Sequence, residues 1–140
     1  MAYIFQYNCN NINWQEVSDM LREVGMAWYP PEIQQKAFEN SRVVVFVFDD
    51  NRLAGFGRVL SDAAYQAAVY DMAILPEYQG KGIGSAIIKH FLEELPQCNF
   101  ILYAAPGKEA FYQKLGFRIM KTGMALFLNS DRMKERGFAY

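Results

Sequence analysis

Cysteine is scarce in this chain, and the two present, Cys9 and Cys98, lie too far apart for a CxxC or Cys/His spacing. With a single histidine, His90, there is also no cluster that reads as a metal site. Charge of one sign is missing too: 14 basic residues against 15 acidic ones give a net charge of -1. No basic block or basic helix face stands out, so the electrostatic footprint of a nucleic-acid binder is absent. No apolar run approaches the roughly 18 residues of a membrane span. MAYIFQYN at the start lacks the charged stretch and apolar core of a secretory leader. The expectation is a cytoplasmic protein in a reducing compartment, with no metal, no disulfide, no nucleic acid and no membrane.

What is present is a core. Apolar residues make up 52% of the chain and charged residues 21%, the balance of an ordinary globular protein. A length of 140 residues suits one domain, expected over 1–140. Such a domain buries roughly two thirds of its unfolded surface. No repeat or low-complexity linker interrupts it.

Local patterns divide the chain into elements. Residues 3–7 read as a strand, and Asn13 caps a helix through Val24, with Glu16 three residues on. After the Trp28-Tyr29-Pro30-Pro31 loop, Pro31 opens a second helix to Phe38. RVVVFVF at 42–48 is a strand by its β-branched and aromatic content. A turn at Asp49-Asp50-Asn51 leads to a strand over 52–60 broken by Gly55 and Gly57, and another strand covers 67–75. A helix spans 82–95 before Pro96, a strand 100–104, and a helix 107–115 ending at Gly116. Residues 117–119 and 124–128 form a last strand pair. Strands unevenly interleaved with helices predict an α/β, mixed sheet flanked by helices.

The most informative segment is YQGKGIGS at 78–85, between the apolar VYDMAIL and the amphipathic AIIKHFLEEL. A strand, a turn whose glycines expose backbone amides, and a helix N-terminus together make a phosphate cradle. The Walker register fails, because the fifth residue after Gly80 is Ser85. The dinucleotide fingerprint fails as well, since Gly80, Gly82 and Gly84 alternate and no βαβ unit with an acidic ribose partner follows. The spacing Gln79-x-x-Gly82-x-Gly84 instead resembles the Q/R-x-x-G-x-G/A signature of the GCN5-related N-acetyltransferases. FYQKLGF at 111–117 is similar to that family's downstream motif, one helix and one strand further on. RVLSDAAYQAAVYDMAILPEYQGKGIG and GMALF look closest to the bacterial and plastid branch that includes plant serotonin N-acetyltransferases.

The resemblance implies a central, mostly antiparallel twisted sheet of about six to seven strands, splayed at a cofactor site and flanked by about four helices. It implies acetyl-coenzyme A as cofactor, its pyrophosphate on Gln79, Gly80, Lys81, Gly82, Ile83, Gly84 and Ser85, and its pantetheine arm along Met72, Ala73 and Ile74. A backbone amide further back on that strand would stabilise the oxyanion, a contact worth about 3 to 4 kcal/mol. Tyr112 becomes a candidate general acid for the departing thiolate, or else part of an aromatic helix face with Phe111 and Leu115. Asp71, which interrupts an apolar strand, is a candidate base for an amine whose ammonium form has a pKa near 10, or else a structural carboxylate. Many relatives carry an asparagine before the FY pair, where this chain has Ala105-Pro106-Gly107. Lys114 could reach a coenzyme phosphate, or lie solvated on its helix. Glu77 and Glu109 read as exposed, and His90 as a surface or core-edge residue.

Acceptor choice in this family comes from the first helices, their loop and the last strands. Those regions hold Trp14, Trp28, Tyr29, Tyr65 and Phe127, with Glu16, Asp19 and Glu32 nearby. Trp28, Tyr29 and Tyr65 could wall an arylalkylamine or attract an ammonium, or simply be core aromatics. The expected reaction is acetylation of a primary amine of a small molecule by direct attack, since no cysteine flanks either motif. Acetylation of protein lysines or N-termini, or a non-catalytic acyl-coenzyme A sensor, are the alternatives. A homodimer through the C-terminal strands is a further expectation.

Overall fold

The computed structural model describes residues 2–140, in two compact units, 2–101 and 102–140. The first unit is built on a five-stranded sheet in the order β1 (Ile4–Gln6), β2 (Val43–Asp49), β3 (Arg52–Ser61), β4 (Gln66–Ile74) and β5 (Asn99–Ile101). Neighbours are antiparallel except β4 and β5, which are parallel. Between β1 and β2 run α1 (Trp14–Glu23) and α2 (Pro31–Glu39), and between β4 and β5 runs α3 (Ile83–Glu94).

Local chemistry sets these boundaries. The side chain of Asn13 accepts a hydrogen bond from the Glu16 amide at 3.2 Å, and Pro31 occupies the first turn of α2, where no amide is needed. Only Asp50 and Asn51 separate β2 from β3, and Asp50 takes the positive φ, 53°, that a tight hairpin turn requires.

Alternation along β3 sends successive side chains to opposite faces of the sheet. Phe56 meets Phe38 of α2 edge-on at 5.6 Å, within an aromatic cluster completed by Phe46 and Trp14. Its neighbour Gly57 faces α3 instead. A Cβ there would stand 2.5 Å from Met72 Sδ and 3.3 Å from the Phe91 ring, so the missing side chain is what lets α3 pack this close. Ile87, Ile88 and Phe91 of α3 are fully buried. Each such side chain contributes about 1.5–3 kcal/mol relative to exposure.

The second unit contains α4 (Glu109–Lys114) and α5 (Ser130–Glu135). Phe127 and Phe138 both pack edge-on against Tyr103, at 5.6 and 5.9 Å. Three expectations are corrected. The sheet has five strands rather than six or seven, since 117–119 and 124–128 are not strands. Met124, Leu126 and Leu128 are almost wholly exposed, so the apolar run at 124–128 has no strand neighbour to bury it among the described residues. Among the described residues there are five α-helices rather than about four, because Asn129, whose side chain accepts from the Arg132 amide, starts a short extra helix. No helix among the described residues is long and apolar enough to cross a membrane.

Candidate active site at the end of the fourth strand

β5 pairs with β4 only at Gln66, Ala67 and Ala68. β4 runs on for six more residues, to Ile74, and its edge on that side has no strand partner among the described residues. Met72, Ala73 and Ile74 lie on this stretch, where the sheet parts. Their other edge is occupied, with Ala73 opposite Phe56 and Ile74 opposite Gly55.

Beyond Leu75 comes a single 3-10 turn, Pro76–Tyr78, and then the glycine turn. Gly80 and Gly82 adopt φ of +75° and +84°, and a Cβ on either would meet nothing within 4 Å. The glycines thus satisfy a left-handed backbone and also leave its outer surface bare. No side chain caps α3, and the first ladder bond runs from the Ala86 amide to the Gly82 carbonyl. Among the described residues, neither a loop carbonyl nor a side chain accepts from the amides of Gly80 to Ser85. Six donors at the positive end of a 12-residue helix, with Lys81 exposed beside them, suit a diphosphate.

Tyr78, Asp49 and Arg52, which sequence reasoning did not single out, hold the turn from below. The buried Tyr78 donates its hydroxyl to Asp49 Oδ2 at 2.7 Å. Arg52 lies over the Tyr78 ring and pairs with Glu77. Hydrogen bonding to Asp49 raises the pKa of the Tyr78 phenol, with desolvation adding to the effect. Gln79, expected on the cofactor, turns its side-chain amide back to the Ile74 carbonyl at 2.9 Å and so braces the turn. A tyrosine and an acid in strand-to-turn positions were the available signal, but their pairing spans 29 residues.

Asp71 sits at a bulge. Arg58 faces Tyr70 and Phe56 faces Ala73, so Gly57 alone opposes both Asp71 and Met72. Asp71 has φ +54°, and its Oδ2 accepts from Arg58 Nε at 2.7 Å. The remaining candidates are more scattered. Trp28 and Tyr29 lie half-exposed in the loop between α1 and α2, with Arg22 over the Trp28 ring. Tyr65 is 63% exposed in the β3–β4 turn. At about 3.3 Å per residue it stands about 26 Å along the strand from Ala73, so it is not brought to the same place.

A cavity of about 230 Å³ also adjoins the strand end, between Arg52, Leu53 and Leu75 and the face of α1 that carries Glu16, Asp19 and Glu23. Tyr112 and Lys114 belong to α4 of the second unit. There Tyr112 packs edge-on against Phe111 and Phe117, and burial raises the pKa of its phenol. His90 stacks on Tyr7 at 4.1 Å, away from the turn on the same helix. Cys9 and Cys98 are free thiols.

A parted sheet, a bulge and a glycine-lined helix start define an acyltransferase architecture. The model of the acetyltransferase (GNAT) domain matches residues 39–119, which takes in β2 through α4. The chain therefore belongs to the GCN5-related N-acetyltransferases, and it is an acetyltransferase of that family. It is 31% identical over 121 residues to the N-acetyltransferase ycf52 of Porphyra purpurea, covering 81% of this chain and 70% of that one. To the chloroplastic GCN5-related N-acetyltransferase 2 of Arabidopsis thaliana it is 36% identical over 78 residues, 54% of this chain and 30% of that one. The solved structure of a GNAT-family acetyltransferase from Streptococcus pneumoniae superposes with a TM-score of 0.76 at 25% identity, over 90% of this chain and 98% of that one.

Proposed function

We propose that this chain uses acetyl-coenzyme A to acetylate a primary amine carried by a small molecule. The observation that carries this reading is the uncapped α3 start behind Gly80 and Gly82, placed directly after the stretch of β4 that has lost its strand partner. The amides of Gly80 to Ser85, with Lys81, would hold the pyrophosphate. Backbone groups of Met72, Ala73 and Ile74 would pair with the amides of the pantetheine arm as a strand would. The bound coenzyme supplies an activated acetyl thioester. Backbone amides at the β4 bulge would donate to the acetyl oxygen as it gains negative charge. Tyr112, a phenol that is protonated at neutral pH, is our candidate for proton donor to the leaving thiolate. The cavity beside Leu75 carries three carboxylates, Glu16, Asp19 and Glu23, against one guanidinium, Arg52, an excess that favours an acceptor arriving as a cation, and the exposed Trp28 and Tyr29 favour an aromatic one. Cys9 and Cys98 are both free, as suits a reducing compartment such as the cytoplasm. A homodimer remains part of this proposal.

The test is release of coenzyme A thiol from acetyl-coenzyme A in the presence of arylalkylamines, polyamines, amino sugars, amino acids and lysine peptides. Amine-dependent release with one of the small amines supports the reading and ranks the acceptor. Release with lysine peptides alone would replace the small-molecule acceptor by a protein. Coenzyme binding without transfer to any amine would point to a sensor. Gly82→Val should abolish coenzyme binding in calorimetry, and undiminished binding would move the site elsewhere.

A further inference from the structure

Two adjacent residues of β4, Tyr70 and Asp71, both meet the same guanidinium. Arg58 Cζ lies 5.4 Å from the Tyr70 ring centre, while Arg58 Nε donates to Asp71 Oδ2 at 2.7 Å. Regular alternation sends consecutive side chains to opposite faces, so this arrangement requires the left-handed turn of the backbone at Asp71. Aspartate tolerates this region better than most residues with a Cβ, and the conformation persists where the surroundings hold it. The surroundings here are specific. Arg58 Nη1 donates to Ser41 Oγ at 3.3 Å, Ser41 Oγ donates to the Ala37 carbonyl at 2.8 Å, and the Phe38 ring lies 5.7 Å from Arg58 Cζ. The ion pair is 14% exposed on the arginine side and 21% on the aspartate side, so little solvent competes for it. α2 thereby fixes Arg58, Arg58 fixes the Asp71 carboxylate, and the carboxylate fixes the bulge.

Resting on the reading of β4 as the acyl-binding strand, we propose that Arg58 is a positioning residue: through the Asp71 carboxylate it holds the β4 bulge that directs the Asp71–Met72 amides toward the acetyl carbonyl. The Asp71 side chain then serves the backbone and does not take the amine's proton.

Four variants test this by kcat, by KM for acetyl-coenzyme A, by the pH profile, and by backbone carbon chemical shifts of residues 70–72 recorded without coenzyme. Asp71→Asn keeps a short polar side chain that tolerates the left-handed region and still accepts from Arg58. It should lose less than about threefold in kcat, keep the wild-type pH profile and keep the positive-φ shifts. Asp71→Ala and Arg58→Gln should lose about 10- to 100-fold in kcat with KM little changed, and their shifts at 70–72 should move toward extended values. Adding Asp71→Gly to Arg58→Gln should restore part of kcat, since glycine takes the positive φ unaided. Loss in Asp71→Asn equal to that in Asp71→Ala, with disappearance of the acid limb, would make the carboxylate the base and overturn the proposal. So would full activity in Arg58→Gln. If wild type transfers acetyl to no amine, the proposed function fails while the chemical shifts still judge the clamp.

Discussion

Tyr78 illustrates how a single side chain can brace a proposed ligand site without entering it. Its hydroxyl reaches Asp49 at the end of β2, its ring supports Arg52, and the chain leaves it directly into Gln79 and Gly80. Tyr78→Phe removes the hydroxyl's bonds to Asp49 and Arg52 and keeps the ring, so the glycine turn loses one of its tethers while the sheet stays intact. The expected result is a KM for acetyl-coenzyme A raised by about three- to tenfold with kcat nearly unchanged, read from steady-state kinetics. Tyr112→Phe should show the opposite split. If the phenol donates the proton, kcat falls by about 100-fold while coenzyme affinity measured by calorimetry is retained.

At the scale of elements, what was legible in the sequence is what local chemistry decides. Asn13, Pro31 and the Asp50-Asn51 turn each act within a few residues of themselves, and the elements they start or join lie within two residues of expectation. The glycine turn was legible for the same reason, because left-handed φ at Gly80 and Gly82 is a property of those residues alone. What escaped notice depends on distant partners. Arg58 reaches Asp71 across 13 residues and Tyr78 reaches Asp49 across 29, and neither spacing leaves a periodic trace. The strand expected at 124–128 fails for a related reason, since a strand exists only with a neighbour to pair with. Gly57 is an intermediate case: its break in the strand pattern was visible, whereas its cause, the approach of Met72 and Phe91, was not. Gly57→Val should destabilise the protein by about 1–3 kcal/mol through overpacking between β3 and α3, as measured by urea unfolding.

The whole molecule's stability should form a plateau against pH with a distinct cause at each end. Asp62 accepts from the amides of Ala64, Tyr65 and Gln66, and the bond to Gln66 is the largest of those that hold its pKa below the ordinary carboxylate value. A depressed pKa means that the folded form prefers the charged carboxylate. Its stabilisation is present above about pH 4 and disappears as pH falls through the folded value. Burial raises the pKa of the Cys9 thiol, with Glu39 adding to the effect, and burial likewise raises that of the Tyr112 phenol. Their folded forms prefer the neutral state, so stability declines as pH rises past about 8.5 and again past about 10. Tm measured from pH 3 to 11 should show both limbs, and Asp62→Ala should shallow the acid limb while leaving the alkaline one. An unchanged acid limb in that variant would remove Asp62 as its cause.

The parting of β4 from β5 after Ala68 also bears on the protein before it meets any substrate. Past the bulge, from Met72 to Ile74, the edge of β4 that faces away from β3 has no strand neighbour among the described residues, the kind of edge that recruits extended peptide from other molecules. A pantetheine arm laid along it would act as a sixth strand, occupying that edge as well as delivering the acetyl group. Amide hydrogen exchange over residues 69–74 should slow on adding coenzyme A, and at about 100-fold excess over Kd the folded state should gain about 2.7 kcal/mol. Expression strains depleted of the coenzyme should accordingly yield more aggregate, making cofactor supply a determinant of solubility as well as of turnover.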